Sequence, residues 1–341
     1  MSAKEFMPDP PELKNQMPST FDPSIQTENI AYSQDEMLAC DRCSRQNPPN
    51  RANCIYCGGE LAIKAEILGK LKPVTRKLEA WEAGFNVVLR SALGGRVENI
   101  GSILADDSVD VAAIIRSKAQ LPIARVESVK LAELLVEQLA GSGLECTVIS
   151  DAELAVETPP VRLSTIRIDE GSLELIDFNT RTNIRVLFED LALIVVGTLS
   201  KSRTELLEKR RRNAESKVID EMATSADEMV LDLYTRSESR GFRIYLAGFD
   251  FSCLGERKGL LAAENMRQLA GLIAETAPNA KVANNYASIR HLLGGIWEVE
   301  SRSDPQGLKR SGFGKVEFGK VETTSNLQQF NKYSRLQWHL L

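Results

Sequence analysis

Four cysteines in the amino-terminal part of this sequence have the types and spacing that indicate chemistry. Cys40 and Cys43 form one Cys-x2-Cys pair, and Cys54 and Cys57 form a second, with ten residues between the pairs. Each pair can lie on a tight turn that directs two thiolates at one point, and the two glycines after Cys57 supply backbone freedom for the second turn. Four thiolates fill a tetrahedral zinc ion and leave no open position for water or substrate. The spacing therefore predicts a closed, structural zinc site.

A thiol-disulfide switch is the main alternative for these cysteines, because a single Cys-x-x-Cys pair can be a redox pair. Two such pairs in register favour zinc over that alternative. The remaining cysteines, Cys146 and Cys253, lie in separate apolar contexts. We therefore expect them to be buried free thiols and not parts of a disulfide framework.

Residues 40–61 read CDRCSRQNPPNRANCIYCGGEL. They resemble the short zinc ribbons of many bacterial multidomain proteins, in which Asn-Pro-Pro lies between two cysteine knuckles. The spacing is also similar to that of Ran-binding-protein-type zinc fingers, including an asparagine at Asn47. Those fingers place a tryptophan two residues before the first cysteine, where this chain has Leu38, so their recognition of ubiquitin or RNA is not implied.

The knuckles also carry basic and aromatic residues, Arg42, Arg45, Arg51 and Tyr56. Such residues could contact phosphate and stack on a base, because basic and aromatic side chains together form a platform for single strands. The alternative is that they are solvated positions on the knuckle surface.

Length and composition are those of an ordinary globular protein of two or three domains, with 341 residues, 43% hydrophobic and 26% charged. No apolar stretch approaches the roughly 20 residues of a membrane span, and the amino terminus lacks a secretory apolar region. We therefore expect a cytoplasmic protein.

Residues 1–36 carry two lysines and seven acidic residues, which account for the whole net charge of −5. The neutral remainder argues against nonspecific DNA binding as the main task.

The sequence predicts a multidomain α+β protein with five regions. These are a disordered acidic leader at 1–36, the zinc ribbon at 37–62, a helical connector at 63–83, a small α/β domain at 84–155 and a larger antiparallel-sheet α+β domain with a C-terminal helix at 160–341.

The small domain is predicted to follow the order β-α-β-α-β. The expected elements are a strand at 84–89, helical periodicity over 97–117, a strand at 122–128, a helix at 129–141 and a strand at 144–150. GFNVVL (84–89) and KLAELLVEQLAGSGLECTVI (130–149) make residues 84–150 resemble the fold shared by the ribosomal stalk protein's C-terminal domain and the ClpS protease adaptor. The resemblance implies a protein-docking domain by fold-level analogy. A structural domain of unrelated topology is the alternative.

The larger domain begins with four runs that alternate enough to be antiparallel strands. The expected elements of this region are strands at 161–168, 172–178, 182–188 and 191–198, a charged helix at 202–224, strands at 228–235 and 242–249, and a helix at 258–276. A meander of strands closed by a helix resembles a pleckstrin-homology-like barrel over 161–277. A generic α+β sheet fits the same pattern.

The carboxyl-terminal part is predicted to contain a short helix near 285–297 and a final helix over 326–341. The final helix has apolar residues at helical spacing, so we expect it to dock on the body. The segments DFSCLG (250–255) and FNKYSRLQWHLL (330–341) resemble elements of a bacterial family of zinc-ribbon proteins. This resemblance implies no activity.

Several residues suggest enzymatic chemistry, but each has a simpler interpretation. His291 and His339 lie near no pattern for nucleophilic catalysis or metal binding, so structural roles are expected. Asp250 and Cys253 could be an acid and a nucleophile, but no basic partner is placed to lower the thiol pKa, which favours strand-end packing. GFGK at 312–315 lacks the rest of a P-loop pattern, which favours a glycine-punctuated hairpin.

Two basic concentrations could contact nucleic acid. The run at 209–212 is interleaved with carboxylates, which favours an ion-paired helix face. The second comprises Arg302, Lys309, Arg310, Lys315 and Lys320 in a glycine-containing region that we expect to be a solvated loop.

The sequence alone therefore favours a non-enzymatic cytoplasmic adaptor or scaffold that binds protein through modular domains, with zinc as a structural cofactor. The first alternative is a ribosome- or RNA-associated factor, suggested by the arginine-bearing knuckles and the stalk-like pattern. The second alternative is an enzyme of unrecognised class in the C-terminal domain, for which a pocket with converging polar groups would be the sign.

Overall fold

The structure is a computed structural model of the chain. It describes residues 37–49, 51, 53–59, 61, 77–79, 81–92, 103–104, 109–154, 159–210, 217–238, 240–312 and 315–341. The predictions for the acidic leader and for most of the helical connector lie outside these residues. The described part is a mixed α+β fold with three sheets and a cluster of four cysteines.

The cysteine unit is built on two very short strands. β1 (Leu38–Ala39) pairs antiparallel with β2 (Gln46–Asn47). Leu38 and Leu61 are buried with two of the cysteines in a small hydrophobic cluster that is separate from the two larger clusters of the protein. The unit is too small to build a conventional core from these side chains.

The described residues between 85 and 154 form a three-stranded antiparallel sheet with helices, here called the small unit. Its elements are β3 (Phe85–Ala92), α1 (Val111–Ser117), β4 (Pro122–Val126), α2 (Val129–Gly141), β5 (Leu144–Ser150) and α3 (Asp151–Leu154). β3 lies in the centre and pairs with both β4 and β5. The three predicted strands and the helix at 129–141 are confirmed. Of the predicted helix at 97–117, residues 97–102 and 105–108 lie outside the described chain, and α1 occupies its last seven residues.

Helix α2 forms where the sequence supplies both a start signal and an apolar face. Ser128 begins the helix, and its hydroxyl accepts a hydrogen bond from the backbone N–H of Leu131 at 3.3 Å. The leucines predicted to face inward are all buried, namely Leu131, Leu134, Leu135 and Leu139. They pack the helix against the sheet of the small unit.

The rest of the described chain is organised by a nine-stranded sheet. Its strands are β6 (Val161–Asp169), β7 (Ser172–Asp177), β8 (Asn183–Leu187), β9 (Leu191–Arg210), β10 (Lys217–Thr235), β11 (Phe242–Tyr245), β12 (Lys281–Ala283), β13 (Glu300–Gly312) and β14 (Lys315–Ser325). Its helices are α4 (Ala262–Thr276), α5 (Tyr286–Ile289) and α6 (Leu327–His339), with 3₁₀ turns at Phe251–Arg257 and Arg290–Leu293.

The strand order departs from a simple meander. Eight strands follow the order β13-β14-β9-β10-β11-β6-β7-β8, and β12 pairs with β9. β6, β7 and β8 are consecutive antiparallel neighbours as expected, but β9 is not the neighbour of β8 in the described sheet. Two pairings, β11 with β6 and β12 with β9, are parallel. The larger sheet is therefore mixed and not purely antiparallel.

The predicted charged helix at 202–224 is wrong wherever the structure describes it. β9 and β10 run through this segment as one long antiparallel hairpin, paired from Leu191↔Thr235 to Lys209↔Lys217. The charges suggested a solvated helix face, but a strand that is exposed on both faces carries a similar pattern. β9 is held as a strand by partners on both sides, since β14 pairs with its Lys201–Arg210 half. Tertiary pairing here overrides local helix propensity.

The expected solvated loop around residues 302–320 is also wrong. β13 and β14 form an antiparallel hairpin over these residues, which confirms the glycine-punctuated hairpin favoured at 312–315. The predicted terminal helix at 326–341 is present as α6, and the helix expected from about 258 begins later, as α4.

The inner strands β9 and β10 separate two hydrophobic clusters. Leu193 and Tyr234 are register partners in one cluster, and Ile194 and Leu233 are register partners in the other. The first cluster continues into the small unit, where Trp297 Nε1 donates to Asn86 Oδ1 at 2.9 Å. The division into separate domains at 84–155 and 160–341 stays a prediction.

A buried ion pair lies beneath helix α6. Arg243 Nε and Nη2 donate to the two carboxylate oxygens of Asp232 at 2.6 and 2.7 Å, and both side chains are almost fully buried. Ser334 of α6 donates to the same carboxylate at 2.7 Å, and its hydroxyl lies 2.9 Å from the Tyr234 hydroxyl. Arg243 also donates to Asn331 at 2.7 Å. These bonds fix the final helix on the sheet.

We predict that Asp232→Asn destabilises the protein by about 3–5 kcal/mol, because it leaves the Arg243 guanidinium buried without a counter-charge. The matched control is Glu264→Gln, which removes one partner of the exposed Arg267–Glu264 pair and should cost about 1 kcal/mol or less. Urea unfolding followed by tryptophan fluorescence measures both. Equal losses of unfolding free energy in Asp232→Asn and Glu264→Gln would show that the buried pair does not fix α6.

We predict opposite effects of alanine at two glycines. At Gly197 of β9 a Cβ would lie 2.1 Å from Phe330 Cε2, so Gly197→Ala must displace α6 and should cost about 1–3 kcal/mol. At Gly271 of α4 a Cβ meets nothing within 4 Å, so Gly271→Ala should stabilise the helix by roughly 0.5–1 kcal/mol. The same unfolding measurement checks both substitutions. An unchanged free energy of unfolding for Gly197→Ala would contradict the close contact between α6 and β9.

Candidate metal centre

The two cysteine pairs lie on turns with the same hydrogen bonds. In the first turn the Cys40 N–H donates to Arg45 O at 3.0 Å, and the Ser44 N–H donates to Cys40 O at 2.7 Å. In the second turn the Cys54 N–H donates to Gly59 O at 2.7 Å, and the Gly58 N–H donates to Cys54 O at 2.9 Å. The sequence therefore builds the same knuckle twice.

Each knuckle needs a left-handed residue directly after its second cysteine. Gly58 has φ 69°, where glycine carries no steric penalty. Ser44 takes the equivalent position with φ 56°, an uncommon conformation for a residue with a Cβ. The prediction that glycine supplies freedom to the second turn agrees with Gly58, whereas the strained serine was not anticipated.

The knuckles bring all four predicted ligands together. Cys40 Sγ lies 3.6 Å from Cys57 Sγ, and Cys43 Sγ lies 3.5 Å from Cys54 Sγ. All four sulfurs lie within 4.8 Å of one another. Cys40 and Cys54 are buried, whereas Cys43 and Cys57 are half-buried. The four side chains can therefore hold one metal ion, each with one sulfur.

The thiols of this cluster differ in acidity. Burial opposes ionisation of Cys54, but hydrogen bonds from the backbone of Tyr56 and Cys57 outweigh it and lower the pKa of the Cys54 thiol to about 6. At Cys43 a backbone hydrogen bond from Arg45 favours the thiolate, whereas burial and the three neighbouring sulfurs raise the pKa of this thiol to about 12. Four crowded sulfurs resist full ionisation unless a cation balances their charge, which is the electrostatic reason for such a cluster to bind a metal.

Asn47 joins the two knuckles, a role that spacing alone did not show. Its side chain is fully buried. The amide nitrogen donates to Arg45 O of the first knuckle at 2.8 Å, and the amide oxygen accepts from the Ile55 N–H of the second at 2.9 Å. The sequence signal was a short polar residue between two Cys-x2-Cys turns. Asn47 orients the two cysteine-bearing turns relative to each other.

The outer surface of the unit combines basic and aromatic side chains. The Arg45 guanidinium lies over the Tyr56 ring, 4.8 Å from its centroid. Tyr56 is 53% exposed and Ile55 is 51% exposed. Arg42 and Arg51 are exposed as well. The predicted platform residues are thus accessible at the surface of the cysteine unit.

The other sequence candidates occupy structural positions. His291 is exposed, and His339 Nε2 lies 2.8 Å from Glu153 O, where it links α6 to α3. Asp250 begins the 3₁₀ turn Phe251–Arg257 and accepts from the Ser252 N–H at 3.0 Å. Within the described ranges, the four cysteines are the one group of three or more His, Cys, Asp or Glu side chains that could hold a metal ion.

The two cysteines outside the cluster are half-buried free thiols. Burial and the neighbouring Glu145 carboxylate raise the pKa of the Cys146 thiol to about 12. Burial raises the pKa of the Cys253 thiol as well. Neither is therefore activated as a nucleophile.

No protein-family model, no curated protein and no solved structure matches this chain. The resemblances to zinc ribbons, to the stalk and ClpS fold and to pleckstrin-homology domains therefore stay predictions. In the described part of the chain, every helix is too short or too polar to cross a membrane.

We predict that Cys40→Ser and Cys54→Ser each abolish stoichiometric metal binding without lowering the main melting temperature. The cysteine unit has its own hydrophobic cluster, so its loss should leave the two larger clusters intact. Cys253→Ser is the matched control and should retain the metal. Elemental analysis with a thermal melt measures both properties. Global unfolding of the ligand variants would show that the unit supports the whole fold.

Proposed function

We propose that the four cysteines bind zinc and that the ion has a structural role. A tetrahedral zinc ion with Zn–S bonds of about 2.3 Å requires sulfur-sulfur separations of about 3.8 Å. Two of the separations in the cluster, 3.5 and 3.6 Å, lie close to this value. Sulfur ligands alone favour zinc over the hard cations, which prefer oxygen. The site is then closed, and the ion stabilises the knuckles.

We infer that the protein is a non-enzymatic cytoplasmic adaptor, and the observation that supports this is an uncovered sheet. We call it the arm: residues 199–210 of β9, residues 217–228 of β10, and the hairpin of β13 and β14. Successive residues of a strand point to opposite faces. Residues 222–227 of β10 are all exposed, as are residues 300–303 of β13. Both faces of the arm are therefore open to a partner at these positions.

The two edges of the arm differ. The β13 edge carries Pro305, which has no N–H to donate, and a register shift at Gly307, where φ is 88°. Both features discourage pairing with another strand. Residues 217–229 of β10 pair with β9 on one side and have no strand on the other side in the described chain. This second edge is suited to strand addition.

The charge of the open edge indicates what it would bind. Residues 217–228 contain four acidic residues and one lysine, and one of the four, Asp227, lies 3.4 Å from Arg290, so the edge stays negative overall. An extended segment of a protein partner with basic side chains would complement this edge, with main-chain hydrogen bonds for affinity and charge for selectivity. The adaptor would thus use β-strand addition, and the small unit and zinc ribbon would supply further docking surfaces.

We predict that lysines on the β10 edge remove the partner. Met222→Lys with Ala226→Lys adds charge and bulk at exposed edge positions, whereas Ser301→Lys with Ser303→Lys adds the same charge to the β13 edge. The tagged full chain is purified from its native cells at low and moderate salt, and the partner protein recovered with it is identified. Binding of the purified partner to each variant is then measured. We expect at least tenfold weaker binding for the β10 variant alone, from about 1.4 kcal/mol or more of lost interaction.

Equal binding by both variants would contradict an edge-docking role. Turnover of a small molecule that survives loss of the metal would contradict the non-enzymatic role and favour an enzyme in the C-terminal part.

A ribosome- or RNA-associated role is the second candidate, because Arg45 lies over an exposed Tyr56 in the cysteine unit. An accessible aromatic ring flanked by arginines can stack on an unpaired base. The same purified sample is analysed for RNA. Two results together would support this role: RNA that is present at low salt and absent at moderate salt, and no RNA at low salt with the Tyr56→Ala variant. RNA-free material under both conditions would exclude it.

A further inference from the structure

A second candidate site lies where the small unit meets the large sheet. We call it the basic pocket, a cavity of about 360 Å³. It receives residues from β3, from the segment after α1, from β12 and the segment after it, and from α6. The residues that carry the argument are Arg90, Lys118, Gln120, Lys281, Asn284 and Gln337.

The charge of this pocket is entirely positive. Arg90, Lys118 and Lys281 line it, and no aspartate or glutamate of the described chain does. None of the three cations forms an ion pair with a described carboxylate. Three like charges around one cavity repel one another unless an anion is present. This arrangement contrasts with the other basic residues of the described chain, many of which have acidic partners.

An independent observation comes from the neutral lining. Gln337 of α6 is 7% exposed, yet its side-chain amide has no hydrogen-bond partner among the described residues. This amide is not among the fully buried unpartnered groups of the described chain, so part of it stays accessible, and because Gln337 lines the pocket a ligand can take the place of the solvent there. Asn284 offers a second amide, and Gln120, whose amide donates to Arg90 O at 3.3 Å, offers a third. The pocket thus combines cations with neutral hydrogen-bond donors.

We propose that the basic pocket binds a small phosphorylated molecule through its phosphate or pyrophosphate group. Lysine ammonium groups and an arginine guanidinium are the side chains that most commonly bind phosphate oxygens. The volume lies at the lower end of small-molecule sites, which fits a compact anion and not a nucleic-acid strand. The ligand would contact the small unit, the large sheet and α6 at once, and would therefore stabilise their packing.

The test uses the zinc-loaded full chain and inorganic pyrophosphate as the probe, with isothermal titration calorimetry at low and physiological ionic strength. We expect saturable binding at a single site and a higher melting temperature with pyrophosphate. Lys281→Gln and Lys118→Gln should each weaken binding about tenfold, as expected for loss of one charge-assisted contact. Both lysines are exposed, so these variants should fold normally.

Arg116→Gln is the matched control, because Arg116 is an exposed residue of α1 that does not line the pocket. Its affinity for pyrophosphate should equal that of the unmodified protein. Equal weakening by Arg116→Gln would show only general charge attraction and would overturn the proposal. Citrate serves as a second probe. Tighter binding of citrate than of pyrophosphate would overturn the phosphate assignment, and the absence of saturable binding of either anion would overturn the site itself.

Discussion

The fold depends on the pairing of β9, a single strand of twenty residues. It pairs with β10 along nearly its whole length, while on its other side residues 193–195 pair with β12 and residues 201–210 pair with β14. The inner half is buried between two hydrophobic clusters, and the outer half continues into the arm. Because hydrogen bonds on both sides hold the strand, the arm keeps its shape where it has no core beneath it.

Helix α6 connects the small unit to this strand. Phe330 packs on Gly197 of β9, and Ser334 donates to the buried Asp232. On its other side, Lys332 lies 3.6 Å from Asp151 of the small unit. Asp151 itself accepts hydrogen bonds from Arg125 and Asn86. The last helix therefore contacts both the sheet and the small unit, in agreement with the burial of seven of its thirteen residues.

Local sequence signals predicted those elements whose stability is local. Helix α2 was predictable because Ser128 supplies a start and its leucines repeat on one face. The segment 202–224 was mispredicted because the second strand partner of its first part, residues 316–325 against 201–210, lies more than a hundred positions further along the chain. The cluster of four cysteines followed from spacing. The bridging role of Asn47 and the left-handed Ser44 did not, because they arise from how the two knuckles meet.

The buried charges had a weaker signal that can be recognised in retrospect. Asp232 interrupts the apolar run MVLDLY, and Arg243 interrupts FRIY. A charge within a strand that is buried on both faces must find a partner or lose its solvation energy. Two opposite charges in neighbouring buried strands therefore imply the strand register that places them opposite each other. Asp232 of β10 and Arg243 of β11 are direct register partners. The cations of the basic pocket differ, because Lys118 and Lys281 are exposed and no described carboxylate lines the cavity with them. The proposed phosphate would supply the counter-charge that the described chain does not place there.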